Sequence, residues 1–114
     1  MQNEKENKKI IQNCFERKLF KMINNEKFEI TKIGKEFLMD KAKELYYASI
    51  SLGRIPKEVT ETVGVAVFLK TWLAVHNNNP AKAIFTIVKE VEPIGFKNFI
   101  EFNDEEVKPN KLPN

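Results

Sequence analysis

Glu36, Asp40 and Glu44 recur at every fourth residue, so a helix through them carries three carboxylates along one side. Such a stripe could ligate a divalent cation or exchange protons in acid–base chemistry. Like charges at this spacing repel unless compensated, and Lys32, Lys35, Lys41 and Lys43 compensate them locally. The stripe holds no histidine, and without a second carboxylate-rich helix brought to face it by folding it is weak evidence for a metal. It therefore reads as a solvated charged face, and no metal site is expected. Carboxylates that converge only in the fold would make an enzyme the third reading.

His76 is the only histidine and falls where a helix should end, a position that suits a protonated imidazole beside the negative helix terminus. A general base needs a nucleophile or an orienting carboxylate close in space, and the neighbouring sequence supplies neither. Cys14, the only cysteine, permits no disulfide within the chain and no cysteine cluster for zinc. It lies beside an apolar stripe and reads as a small core residue. The four glycines, Gly34, Gly53, Gly64 and Gly95, form no phosphate-binding loop, and no nucleophile motif is present. No catalytic residue and no cofactor is expected, which points away from an enzyme.

Glu58 to Leu73 loosely resembles a helix-turn-helix motif, with Val59, Val63, Val65 and Leu73 at apolar positions and Gly64 at the turn. Two features count against it. Lys70 falls where the motif needs a buried apolar residue, and the recognition helix would read Ala66-Val67-Phe68-Leu69-Lys70-Thr71-Trp72. A recognition helix must offer polar side chains to base edges and phosphates. A close helix-to-helix approach explains Gly64 more simply. The net charge of +3 rests on 17 lysines, with only Arg17 and Arg54 able to make bidentate contacts to guanine or phosphate. Lys5, Lys8, Lys9, Arg17, Lys18 and Lys21 scatter around the expected first helix, leaving weak, salt-sensitive polyanion binding as the residual reading. A DNA-binding regulator with a divergent helix-turn-helix is the alternative function.

The elements that must position these residues follow from periodicity and punctuation. A first helix is expected from Asn3 to Asn24–Asn25, with Ile11, Phe15, Leu19 and Met22 on its core side. Phe28-Glu29-Ile30 alternates as a short extended segment would. Thr31 then caps a second helix to about Leu52, burying Ile33, Phe37, Leu38, Leu45, Ala48 and Leu52 before Gly53 ends it. A third helix should open at Pro56 and end near His76, and its nearly unbroken apolar run from Val63 to Val75 marks it as the central element. Asn79 and Pro80 open a fourth helix carrying Ala81, Ile84, Phe85, Val88 and Val91, which should stop before Pro93. Ile94 to Phe102 fits either a short helix or a strand.

These elements predict a mainly α fold, a compact bundle of about four helices around a central apolar helix with one short extended segment. Residues 1–102 form the single domain, and the polar stretch 103–114 forms a flexible tail. The apolar run around Lys70 is well short of the roughly 20 residues that span a bilayer, and Met1 to Lys9 lacks the features of a secretory signal. A cytoplasmic, non-membrane protein is expected. By elimination, the expectation is a protein-interaction module, a small regulator, inhibitor or assembly factor of viral or mobile-element type. Its partner is another protein, a second copy included, and its candidate binding residues are Phe96, Phe99, Ile100 and Phe102.

Overall fold

A computed structural model describes residues 2–107, with side chains from Glu4 to Asn103. In chain order the elements are α1 (Gln2–Glu16), β1 (Phe20–Asn24), β2 (Lys27–Ile30), α2 (Lys32–Ser51), α3 (Glu61–Val75), α4 (Pro80–Thr86) and α5 (Phe96–Val107). α4 runs directly into a π-helical turn at Ile87–Val91. The fold is mainly helical and compact, with one two-stranded antiparallel sheet.

α1 ends well before the expected Asn24–Asn25. Lys18 takes a left-handed conformation with φ 63°, the Leu19 N–H donates to the Cys14 carbonyl at 2.9 Å, and the Lys18 N–H to Phe15 at 3.0 Å. This pair of bonds satisfies carbonyls that a helix end would leave orphaned. Leu19 and Met22, which keep helical spacing with Phe15, therefore leave the helix. The chain turns back as a hairpin in which Phe20 pairs with Ile30, Lys21 with Glu29 and Met22 with Phe28. Asn24 closes it, its side-chain oxygen accepting from the backbone N–H of Glu26 at 2.8 Å and of Lys27 at 2.9 Å. Phe15, Phe20 and Phe28 pack ring against ring beneath the hairpin, while Met22 is exposed.

Thr31 joins this corner to α2. Its N–H donates to the Leu19 carbonyl at 2.9 Å, its hydroxyl donates to the Lys18 carbonyl, and its Oγ1 accepts from Gly34 N–H at 2.9 Å as the N-cap. α2 buries Leu38, Ala42, Tyr46 and Ala48 and ends at Gly53, whose φ of 70° is the left-handed value expected of a helix stop. Ile33, expected inside, is exposed because it lies on the side of α2 away from its neighbours.

α3 begins at Glu61, later than Pro56. Ile55 and Val59 instead fold under α2 and α3 against Ala42, Tyr46 and Val65, and the Tyr46 hydroxyl donates to the Val59 carbonyl. The helix is continuous through Gly64, so no helix-turn-helix bend forms there. A side chain at Gly64 would run into the Tyr46 ring. α3 ends at His76, with Asn77 and Asn78 left-handed, and Asn79 caps α4 by accepting from Ala81 and Lys82.

The central element is α4 with its π-helical turn rather than α3. Ile84, Ile87 and Val91 are among the most deeply buried side chains, and this segment meets α1, β2, α2, α3 and α5. α3 buries only Gly64 and Val65 and leaves Val63, Val67 and Val75 exposed. Ile94 to Phe102 resolves as helix from Phe96 onward, after Gly95 at φ 87°. α5 continues through Asn103 to Val107, past the expected start of the tail, and the remainder of that stretch lies outside the described residues.

Gly34 marks the tightest constraint, because a Cβ there would sit 2.5 Å from the Leu19 carbonyl oxygen. Helix propensity alone favours Ala over Gly by about 1 kcal/mol. Here the sign should reverse. Gly34→Ala is expected to destabilise the protein by about 1–3 kcal/mol, as overpacking does, read from the urea midpoint. A raised midpoint would mean that Leu19 can retreat.

Candidate functional site

The densest polar cluster ties three elements together. Arg17, just past α1, donates through Nη1 and Nη2 to the two oxygens of Glu92 at 2.9 and 3.0 Å. Lys41 on α2 reaches Glu92 at 3.2 Å and Glu44 at 3.3 Å. Both cations also lie over the Phe37 ring, at 5.0 and 5.3 Å. Hydrogen bonding from Arg17 holds the Glu92 carboxyl below its ordinary value against the opposing effect of burial, and Lys41 adds to the lowering. Every charged group here has a partner, so the cluster is a clamp at the end of the π-helical turn.

The other titratable candidates are similarly occupied. Cys14 is fully buried in the core, and desolvation pushes its thiol up to about 11, which keeps it protonated and unreactive at neutral pH. His76 Nδ1 lies 3.0 Å from the Trp72 carbonyl, which can only accept, so Nδ1 carries the proton. Nε2 lies 3.0 Å from the Thr86 hydroxyl, a hydrogen bond that links α3 to α4. Glu36, Asp40 and Glu44 are exposed on α2. Among the described residues, no three His, Cys, Asp or Glu side chains gather where they could hold a metal ion.

The apolar candidates divide differently. Phe96 is only 7% exposed, and Phe99 and Ile100 pack against the core, with Phe99 edge-on to Trp72 at 6.2 Å. Phe102 stands apart at 57% exposed. The four are thus not one surface: three close the end of the core, and one remains outside.

No protein-family model, curated protein or solved structure matches the chain. No helix among the described residues is long and apolar enough to cross a membrane.

α3 leaves a row of apolar residues exposed along one side. Advancing 100° per residue, Val63, Ala66, Val67 and Ala74 share its outer side with Thr62, Lys70 and Thr71, and all of them are exposed. Beside them, a groove of about 440 Å³ opens between α2 and α3, lined by Met39, Lys43, Glu61, Thr62, Val65 and Ala66. Glu61 accepts from the Tyr47 hydroxyl at 2.7 Å and lies 3.9 Å from Lys43. Thr62, Lys70 and Thr71 mark this side as the outer one, but Val63, Ala66, Val67 and Ala74 between them blur the pattern, so periodicity alone does not single the surface out.

Two measurements test these assignments. A carboxylate with a depressed folded value stabilises above its unfolded value, near the ordinary 4.5, and that contribution fades as pH falls through the folded value. Glu92→Gln should therefore cost about 1 kcal/mol at pH 7, and the gap to the parent protein should close on acidification below pH 4.5. A gap that is constant with pH would contradict the clamp. Cys14 should react with a disulfide reagent at neutral pH only as fast as the protein opens, and at once in denaturant.

Proposed function

We propose that the protein is a small, non-catalytic helical module that binds another protein through the outer side of α3. The observation that carries this reading is a mismatch within one helix. α3 is strongly apolar, and its outer side mixes Val63, Ala66, Val67 and Ala74 with only Thr62, Lys70 and Thr71, so hydrocarbon is left in solvent: Val63 and Val67 are 56% and 55% exposed. Contiguous exposed hydrocarbon is costly for a soluble monomer, and in folded proteins it marks interaction surfaces. Phe102, exposed on α5, is a second contact point. The pairing of Arg17, Lys41 and Glu92 and the occupied ring nitrogens of His76 support a role without catalysis.

A second reading, weak binding to the nucleic-acid backbone, draws support from the charge distribution. Residues 1–35 hold nine basic against five acidic side chains. Lys21, Lys32 and Lys35 also line an open cleft of about 640 Å³ between the hairpin and the starts of α2 and α4. Such binding would be strongly salt-dependent and indifferent to sequence.

The test compares the parent protein with Val67→Asp in affinity capture from the native host. A solvent-facing substitution should change stability by no more than about 0.5 kcal/mol. Capture of a specific protein should nonetheless be lost. Equal capture by both forms would remove α3 as the surface, and recovery that disappears on nuclease treatment would favour the second reading.

A further inference from the structure

We infer that the occupant of α3 is a single amphipathic α-helix of another protein, which seats bulky apolar side chains in the α2–α3 groove and sets a carboxylate against Lys70. The inference rests on the protein-binding reading above and specifies the partner's chemistry.

Size selects one helix over a second copy of the chain. The 15 residues of α3 extend about 22 Å, and with a helix width of about 10 Å the exposed side offers a footprint of roughly two hundred Å². A stable association of two folded proteins ordinarily buries about 800 Å² on each. One helix laid along a groove takes its anchors from a few side chains at positions such as i, i+4 and i+7, which a track of this length can seat. The groove beside Ala66 is bounded on α2 by Met39, whose flexible thioether adapts to an inserted side chain. Val63, Val67 and Ala74 continue the apolar track along α3.

Charge makes the same selection. At the near end of the groove, Lys43 and Glu61 lie 3.9 Å apart and Glu61 accepts from Tyr47, so that end is neutralised from within. Lys70 is exposed among the apolar residues and has no ion-pair partner among the described residues. It sits two positions from the middle of α3. Two copies packed antiparallel would bring both Lys70 ammonium groups to the same side of the seam, where like charges repel. A partner helix with Asp or Glu at that point meets the charge instead.

The test uses the full chain against a phage-displayed library of random 16-residue linear peptides, followed by synthesis and titration of the enriched sequences. Enrichment should yield apolar residues at i, i+4 and i+7 with an acidic residue on the same side. The peptides should gain helicity on binding and shift the amide signals of α2 and α3. Ala66→Arg and, on the opposite wall, Met39→Asp should each weaken binding at least tenfold while leaving the melting temperature near that of the parent. Selection against Lys70→Glu should replace the acidic residue by Lys or Arg. Extended binders, affinity indifferent to both groove variants, an unchanged acidic preference against Lys70→Glu, or no enrichment would each overturn the inference. The protein-binding reading is judged separately, since capture from the host that depends on Val67 would survive any of those results.

Discussion

The approach of α2 to the Leu19 carbonyl organises the corner from which the rest of the chain departs. Gly34 lies so close to that oxygen that no side chain fits, while Thr31 bonds the same turn through its N–H and its hydroxyl. Because α1 has already ended at a left-handed Lys18, the three features act together. The hairpin can return, α2 receives its N-cap, and Cys14 and Leu19 are pressed into the core. A backbone carbonyl cannot rotate away as a side chain can, which makes the contact a fixed distance between α1 and α2.

α4 and its π-helical turn then fill the space that this corner leaves. Ile84, Ile87 and Val91 provide the burial, and the Glu92 N–H bonds the Ile87 carbonyl at 2.8 Å as the wide turn closes. The turn delivers Glu92 to Arg17 and Lys41, so the end of the core segment is tied to α1 and α2 by charge as well as by packing. Three aromatic and aliphatic residues of α5 cover this end of the core. That use of Phe96, Phe99 and Ile100 explains why they do not form a free surface.

Burial by α4 leaves α3 on the outside, with Val63 and Val67 in solvent. Its inner residues meet α2 and the core, Gly64 admits the Tyr46 ring, and Trp72 Nε1–H reaches the Ala83 carbonyl at 3.4 Å. The outer residues have no such neighbours. Under the proposed protein-binding reading, these outer residues would take a partner's hydrocarbon, with the few charges around them setting orientation.

Local signals in the chain determined much of this architecture. Thr31 and Asn79 as caps, Pro80 as a helix opener, Gly53 as a stop and the extended run at Phe28 to Ile30 all act through their own backbone or the next few residues, so their effects are legible without the fold. Where α1 stops was not legible. Leu19 and Met22 satisfy a helical period and a strand alternation alike, and the choice falls to Thr31 and Phe28, which are near them only after folding. The rank of the helices was hidden for a related reason. Hydrophobicity records how much hydrocarbon a helix carries, whereas burial depends on how many neighbours surround it. α3 is the more apolar helix, but α4 and its π-helical turn meet α1, β2, α2, α3 and α5. Only the tertiary arrangement could place Phe96 inside, Phe102 outside and the apolar side of α3 in solvent, because each outcome depends on which elements pack around the residue rather than on the residue itself.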